Sequence, residues 1–169
     1  KAAVYERRGP AADVLKLVDR PAPEPGPGEV RVKVAVSAVN PSDTKSRGTW
    51  LGVTQMLFPQ ITPHQDGAGV IDKVGAGVPS SRVGERVWVY MAQRGRAFGT
   101  AAEFTCVPSE RAVTLPKEAS FAELAERVEV ATEEPSAEAL AQACRTALEP
   151  AAIAAPRRGC ECWSRARPG

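Results

Sequence analysis

The chain has 169 residues, 43% hydrophobic and 25% charged, which is the composition of a globular protein with room for one ordinary domain and an appendage. Its formal charge of +2 comes from basic residues spread along the chain, which excludes a nucleic-acid or acidic-membrane partner as the expected function. No apolar run approaches the roughly 18 to 20 residues that span a bilayer, and the cysteine usage makes a reducing, cytoplasmic setting the default expectation.

In chain order, Ala2–Tyr5 reads as an opening strand, Arg8-Gly-Pro10 as a turn, and Val14–Val18 as a second strand. Pro25-Gly-Pro-Gly28 is a turn that starts the most regular element of the chain. Val30, Val32, Val34 and Val36 there alternate with Glu29, Arg31, Lys33 and Ala35, the period of a strand with one face in a core. This strand delivers a polar loop, Asn40-Pro-Ser-Asp-Thr-Lys45, and loops held by rigid strands are where binding groups concentrate. Helical and irregular chain is expected from there to about residue 63, then a strand at Gly69–Val74. Gly-Ala-Gly at 67–69 and again at 75–77 reads as turns and bulges. Val83–Arg86 forms a turn into Val87–Tyr90, where Trp88 and Tyr90 belong to a sheet wall. Ala102–Val107 and the Val113–Leu115 pair close the series. Short strands at similar spacing, separated by Gly and Pro, predict a barrel or sandwich over residues 1–118.

The character changes after Pro116. Ser120-Phe-Ala-Glu123 has the capping-box pattern of a helix start, and Ala137–Leu148 reads as a second, alanine-rich helix. Residues 119–149 are thus a helical segment, and 150–169, rich in Ala, Arg, Pro and Gly, a disordered tail. The shift in composition is of the kind left by a frameshift, an alternative splice or a truncated reading frame. The four cysteines are Cys106, Cys144, Cys160 and Cys162. Cys160-Glu-Cys162 is not a usual zinc spacing and His64 is the only histidine, so no metal is expected.

Four collinear stretches carry a family resemblance: GEVRVKVAVSAVNPSDTKSRG from Gly28, PHQDGAGVIDKVGAGV from Pro63, VGERVWV from Val83 and GTAAEFTCVP from Gly99. Together they resemble the medium-chain dehydrogenase/reductase superfamily, and more narrowly its zinc-independent NADPH:quinone oxidoreductase, ζ-crystallin-like branch. The resemblance covers about residues 1–121. It implies a mainly β fold, the partly open GroES-like barrel of the family's catalytic domain with short helices. In the zinc-dependent branch the loop after the central strand carries a cysteine ligand, where this chain has Asn40. That branch also reads Gly-His-Glu before its Gly-x-Gly, where this chain has His64-Gln65-Asp66. Amides do not replace thiolate and imidazole at zinc, so the resemblance implies zinc-free chemistry.

The resemblance further implies that Asn40 lies by the nicotinamide of NADPH and the substrate cleft, with Asp43 beside it as a catalytic or loop-ordering group. Gln65 and Lys45 are carried over as cofactor-binding, Lys45 with the alternative of simply facing solvent. Trp50 either lines a substrate cleft or packs. Read without the family, Asn40 is a turn former, Asp43 a helix N-cap, His64 a structural residue, and Gln65 and Asp66 partners of loop backbone. The implied reaction is hydride transfer from NADPH to a quinone or enone. No Rossmann unit with its glycine-rich strand-to-helix turn is legible, so weak or absent activity is expected of this chain alone. The alternative is a non-catalytic binding or oligomerisation module, self-associating through an exposed apolar surface.

Overall fold

The computed structural model describes residues 1–49 and 54–121. Its strands are β1 (Ala2–Val4), β2 (Lys16–Val18), β3 (Glu29–Ala38), β4 (Asp66–Val74), β5 (Arg86–Val89), β6 (Phe104–Pro108) and β7 (Ala112–Thr114). Two short helices accompany them, α1 (Ala11–Val14) and α2 (Pro41–Arg47). The helices and tail expected beyond Phe121 lie outside the described residues, as does Trp50.

β1 and β2 form an antiparallel pair, and the other five form an antiparallel sheet in the order β6-β3-β4-β5-β7. Chain geometry forces this sheet to curl. β6 and β7 are its two edges, yet only Ser109–Arg111 separate them in sequence. Opposite edges of a flat five-stranded sheet lie roughly 19 Å apart, while four residue steps reach at most about 14 Å. The edges must therefore approach each other, which gives the partly open barrel. Backbone bridges Ala2↔Ala102, Tyr5↔Ile61 and Thr62↔Phe98 stitch the β1–β2 end to it.

The interior is built from Val30, Val32, Ile71, Val87, Val89, Ala92, Val107 and Ala112, all nearly or wholly buried. The outer face of β5 is covered too: Trp88 packs with Ala68, Leu115 and Ala119, and Val36, Tyr90 and Phe121 border that cluster. The Trp88 and Tyr90 rings lie 5.6 Å apart.

Here the structure corrects the expected alternation. Val34 of β3 pairs with Gly69 but Val36 pairs with Ala68, so Ala35 is an extra residue, a β-bulge. Inserting one residue swaps the faces of everything after it. Val30 and Val32 point into the barrel core, whereas Val36 packs on the outer, Trp88 side. β4 carries the complementary irregularity, with Asp72 extra between Lys73 and Ile71, and Asp72 receives the Arg31 guanidinium in a bidentate pair (Nε–Oδ1 and Nη2–Oδ2, both 2.9 Å).

Two further boundaries differ from expectation. Val14 ends a turn of helix rather than opening a strand. β4 begins at Asp66, so the first Gly-Ala-Gly lies inside a strand opposite the bulge. A Cβ on Gly69 would stand 2.1 Å from the Lys33 carbonyl oxygen, which explains why the bare backbone is needed there. The second run is a turn, as expected, with Gly77 at φ +83°.

Candidate active site

The bulge positions the site. Past it, β3 turns Ser37 and the following loop toward the start of β4, so the polar residues of two separate motifs meet at one end of the barrel. The loop then closes at once into α2, with Pro41 at the first helical position, where a missing N–H costs nothing. The N-cap is Asn40, not Asp43. The Asp43 N–H donates to the Asn40 carbonyl (3.0 Å), and the Asn40 N–H donates back to Asp43 Oδ2 (2.7 Å). Asp43 is thus the third helical residue of a reciprocal cap, which is why it is buried.

Asn40 also reaches across to β4: its Nδ2 donates to Asp66 Oδ2 at 2.5 Å. Asp66 is fully buried, and its Oδ1 accepts from the Met91 backbone N–H at 3.3 Å. Burial pushes its carboxyl up to about 6; the Met91 and Asn40 donors resist the shift, and Asp43 adds to it. Burial likewise raises Asp43, against the Asn40 amide and His64. The Gln65 amide dipole also lowers it, but Asp43 Oδ1 makes no hydrogen bond among the described residues. Two buried carboxyl groups are therefore bound to amide donors, with no cation bonded directly to either among the described residues.

A second chain of bonds fixes His64. Thr100 Oγ1 donates to the Asp66 backbone carbonyl (2.6 Å), which spends its only proton. Ser37 Oγ must therefore donate to Thr100 (2.9 Å), and His64 Nδ1–H must donate to Ser37 Oγ (2.8 Å). The direction of this relay assigns His64 as the Nδ1–H tautomer, leaving Nε2 as an acceptor. Burial holds its pKa below the ordinary 6.5, with Asp43 opposing and Arg47 assisting, so the ring is neutral at pH 7. Its φ of 77° is left-handed, a conformation that disfavours side chains. The Gly-His-Glu pattern of the zinc branch has glycine at this position.

Gln65 Oε1 accepts from the Gln93 N–H (3.1 Å), and the Gln65 carbonyl from Ala92 N–H (2.8 Å), which binds this segment to the 91–96 loop. Tyr5 is buried nearby, its hydroxyl pKa raised by burial while Arg8, Gln93 and Arg47 work against the shift. Lys45 stands on the exposed side of α2, in its last turn. The structure thus gathers Asn40, Asp43 and Gln65 as the motifs suggest. It adds Ser37, Tyr5, His64, Asp66 and Thr100, which sequence reasoning left as structural or passed over. The signal for Asp66 was its place at the head of a strand, hidden by the small residues that follow it.

A model of the alcohol dehydrogenase GroES-like domain matches residues 26–117. The chain belongs to that family. It is 35% identical over 130 residues to the NADPH-dependent alkenal/one oxidoreductase, chloroplastic, of Arabidopsis thaliana, covering 74% of this chain and 33% of the relative. It is 34% identical over 120 residues to 2-methylene-furan-3-one reductase of Solanum lycopersicum, covering 68% and 31%. Among solved structures, the NADPH complex of mycobacterial Rv1454c superposes with a TM-score of 0.64 at 27% identity, over 76% of this chain and 37% of the other. The chain spans about a third of the length of the curated relatives it matches. As a GroES-like domain it carries the family's barrel, with the Asn40 end as its polar mouth.

Proposed function

We propose that this barrel is the substrate-side half of a cytoplasmic, zinc-independent reductase that passes hydride from NADPH to an enone or quinone. The observation that carries the reading is the donor set at the barrel mouth. Where zinc needs thiolate and imidazole, Asn40 and Gln65 present amides, each oriented by one bond to the protein, Asn40 Nδ2 to Asp66 and Gln65 Oε1 from Gln93 N–H, with the other half of each amide outside that bond. Among the described residues no group of three metal-ligating side chains occurs, and Cys106 lies elsewhere. Such a set fits a neutral carboxamide or carbonyl. Asn40 and Gln65 would hold the nicotinamide end of NADPH, and Lys45 would stand toward its charged part. The cofactor would supply the hydride; the residues here orient and exclude water. Asp66 holds the Asn40 amide and Asp43 holds its backbone, so Asn40 is presented in one orientation.

The described barrel has no glycine-rich strand-to-helix turn for the pyrophosphate, which supports weak turnover by this chain alone. The test follows NADPH oxidation with a 2-alkenal and with a benzoquinone as acceptors. Slow turnover is expected, unchanged by a metal chelator and lowered about tenfold or more by Asn40→Ala. Activity that vanishes on chelation and returns with Zn²⁺, or that survives Asn40→Ala intact, sinks the reading.

A further inference from the structure

One concavity shares no residue with the Asn40–Asp43–Asp66 cluster. It is a cleft of about 240 Å³ between the Arg20–Pro23 segment, the Arg96–Gly99 loop and β6. Its wall carries three cations, Lys1, Arg20 and Arg96, and not one aspartate or glutamate. Two of the three are neutralised from outside the cleft: Lys1 Nζ by Asp19 at 2.9 Å, and Arg96 by Glu29 at 2.6 Å. Arg20 has no carboxylate partner among the described residues. Its guanidinium lies 4.2 Å from the centroid of the Phe98 ring, and its one hydrogen bond among the described residues is long, Nη1 to Thr62 Oγ1 at 3.4 Å. Stacking on a ring preorganises a guanidinium without spending its in-plane donors.

Most of the remaining wall is apolar. Phe98 and Phe104 face the cleft together with prolines 21 and 23. Phe98 is 42% exposed, a large aromatic surface left to solvent beside a charge that lacks a counterion. At the base, Thr105 is buried and its hydroxyl has no partner among the described residues, and Cys106 is a neutral thiol. An uncompensated cation held on an aromatic plate, in a concavity free of acids, is built for a ligand with an anionic head and a flat apolar body.

We infer that this cleft binds a small organic anion, an aryl or alkenyl carboxylate of about ten heavy atoms, with the carboxylate on Arg20 and the body against Phe98 and Phe104. Thr62 and Gly99 line the cleft, and their neighbours His64 and Thr100 belong to the mouth of the barrel. The site is therefore next to the candidate active site in the fold but uses none of its side chains, and it stands whether or not the reductase reading holds.

The test is calorimetric titration of the whole chain with 3-phenylpropionate, against 3-phenylpropionamide, which keeps the body and loses the charge, and inorganic phosphate, which keeps the charge and loses the body. Saturable binding of the acid is expected, with the amide and phosphate each weaker by about tenfold or more. Arg20→Gln should bind acid and amide alike, and Phe98→Leu should weaken both together. No saturation by the acid up to about 10 mM, equal binding of acid and amide, or an acid preference that survives Arg20→Gln would each overturn the assignment. The acid-to-amide ratio on the unaltered protein is decisive even where a variant fails to fold.

Discussion

The two halves of β3 run through the same barrel wall and do opposite work. From Glu29 to Val34 the strand alternates regularly, and its inward valines, Val30 and Val32, are wholly buried among Ile71, Val87 and Val107. From Ala35 to Ala38 the bulge reverses the faces, an apolar side chain goes to the outside, and a serine takes up the inward bonds. The first half stabilises by removing apolar area from water, at about 25 cal/mol per Å². The second half buries polar groups, each of which must be satisfied or cost free energy. The lesson is local: a single extra residue converts a core strand into the support of a polar site without interrupting its ladder.

If the first half is a close-packed wall, its tightest contact should be the least forgiving. Gly69 faces Val34 with no room for a methyl group, since the clash would be with backbone. Gly69→Ala is expected to cost about 3 kcal/mol or more, or to prevent folding, measured by urea denaturation. A cost under about 1 kcal/mol would mean that the strands separate freely there. Ile71→Ala, at a wholly buried position, should cost about 3 kcal/mol, while Val36→Ala on the partly covered outer face should cost about a third as much. Equal costs would dissolve the distinction between the two halves.

Much of the wall was legible in the sequence because alternation and burial coincide wherever a strand is regular: β3 up to Val34 stands where the pattern put it, and β5 and β6 begin and end within two residues of it. The bulge was not legible. Ala35-Val-Ser37 continues a plausible period, and what breaks it is the pairing with Gly69 and Ala68, more than thirty residues away. Asp66 was missed as a strand residue for a related reason, since Gly67-Ala68-Gly69 has no side-chain bulk with which to announce a period. Asp43 took the cap role in the sequence reading because Asn and Asp are both good caps; Pro41, tolerated at the first helical position, decides for Asn40. The Arg20 cleft draws on five separate segments, and no single one carries a signal.

The polar half makes a titration prediction. The folded Asp66 pKa, about 6, lies above the ordinary 3.8, so its contribution is fully present below the lower value and is lost as pH rises through the higher one. His64 is shifted down, so its contribution is present above 6.5 and lost on acidification. Asp43, also raised by burial, acts in the same sense as Asp66, and His64 opposes both between about pH 4 and 6.5. Asp66→Asn removes one of them. The advantage of the parent over the variant should shrink by about 2 to 3 kcal/mol from pH 4 to pH 7. Parallel stability curves for the two proteins would show that Asp66 does not carry the shift.

The smallest expected effect tests the finest feature, the direction of the hydroxyl relay. Ser37→Ala deletes the acceptor of His64 Nδ1–H and the donor to Thr100, both in the part of β3 beyond the bulge. About 1 kcal/mol of stability should be lost, because half-exposed neutral hydrogen bonds return only modest net free energy. The sharper readout is the imidazole ¹⁵N spectrum at pH 7. In the parent, His64 should be a single Nδ1–H tautomer; in Ser37→Ala the common Nε2–H form should appear, because nothing then holds the proton on Nδ1. An Nε2–H histidine in the parent would reverse every bond in the chain. It would require Thr100 to give up its 2.6 Å bond to the Asp66 carbonyl in a buried site, and a buried hydrogen bond lost costs about 1 kcal/mol. The inward turn of Ser37 would then be a packing accident rather than the anchor of the site.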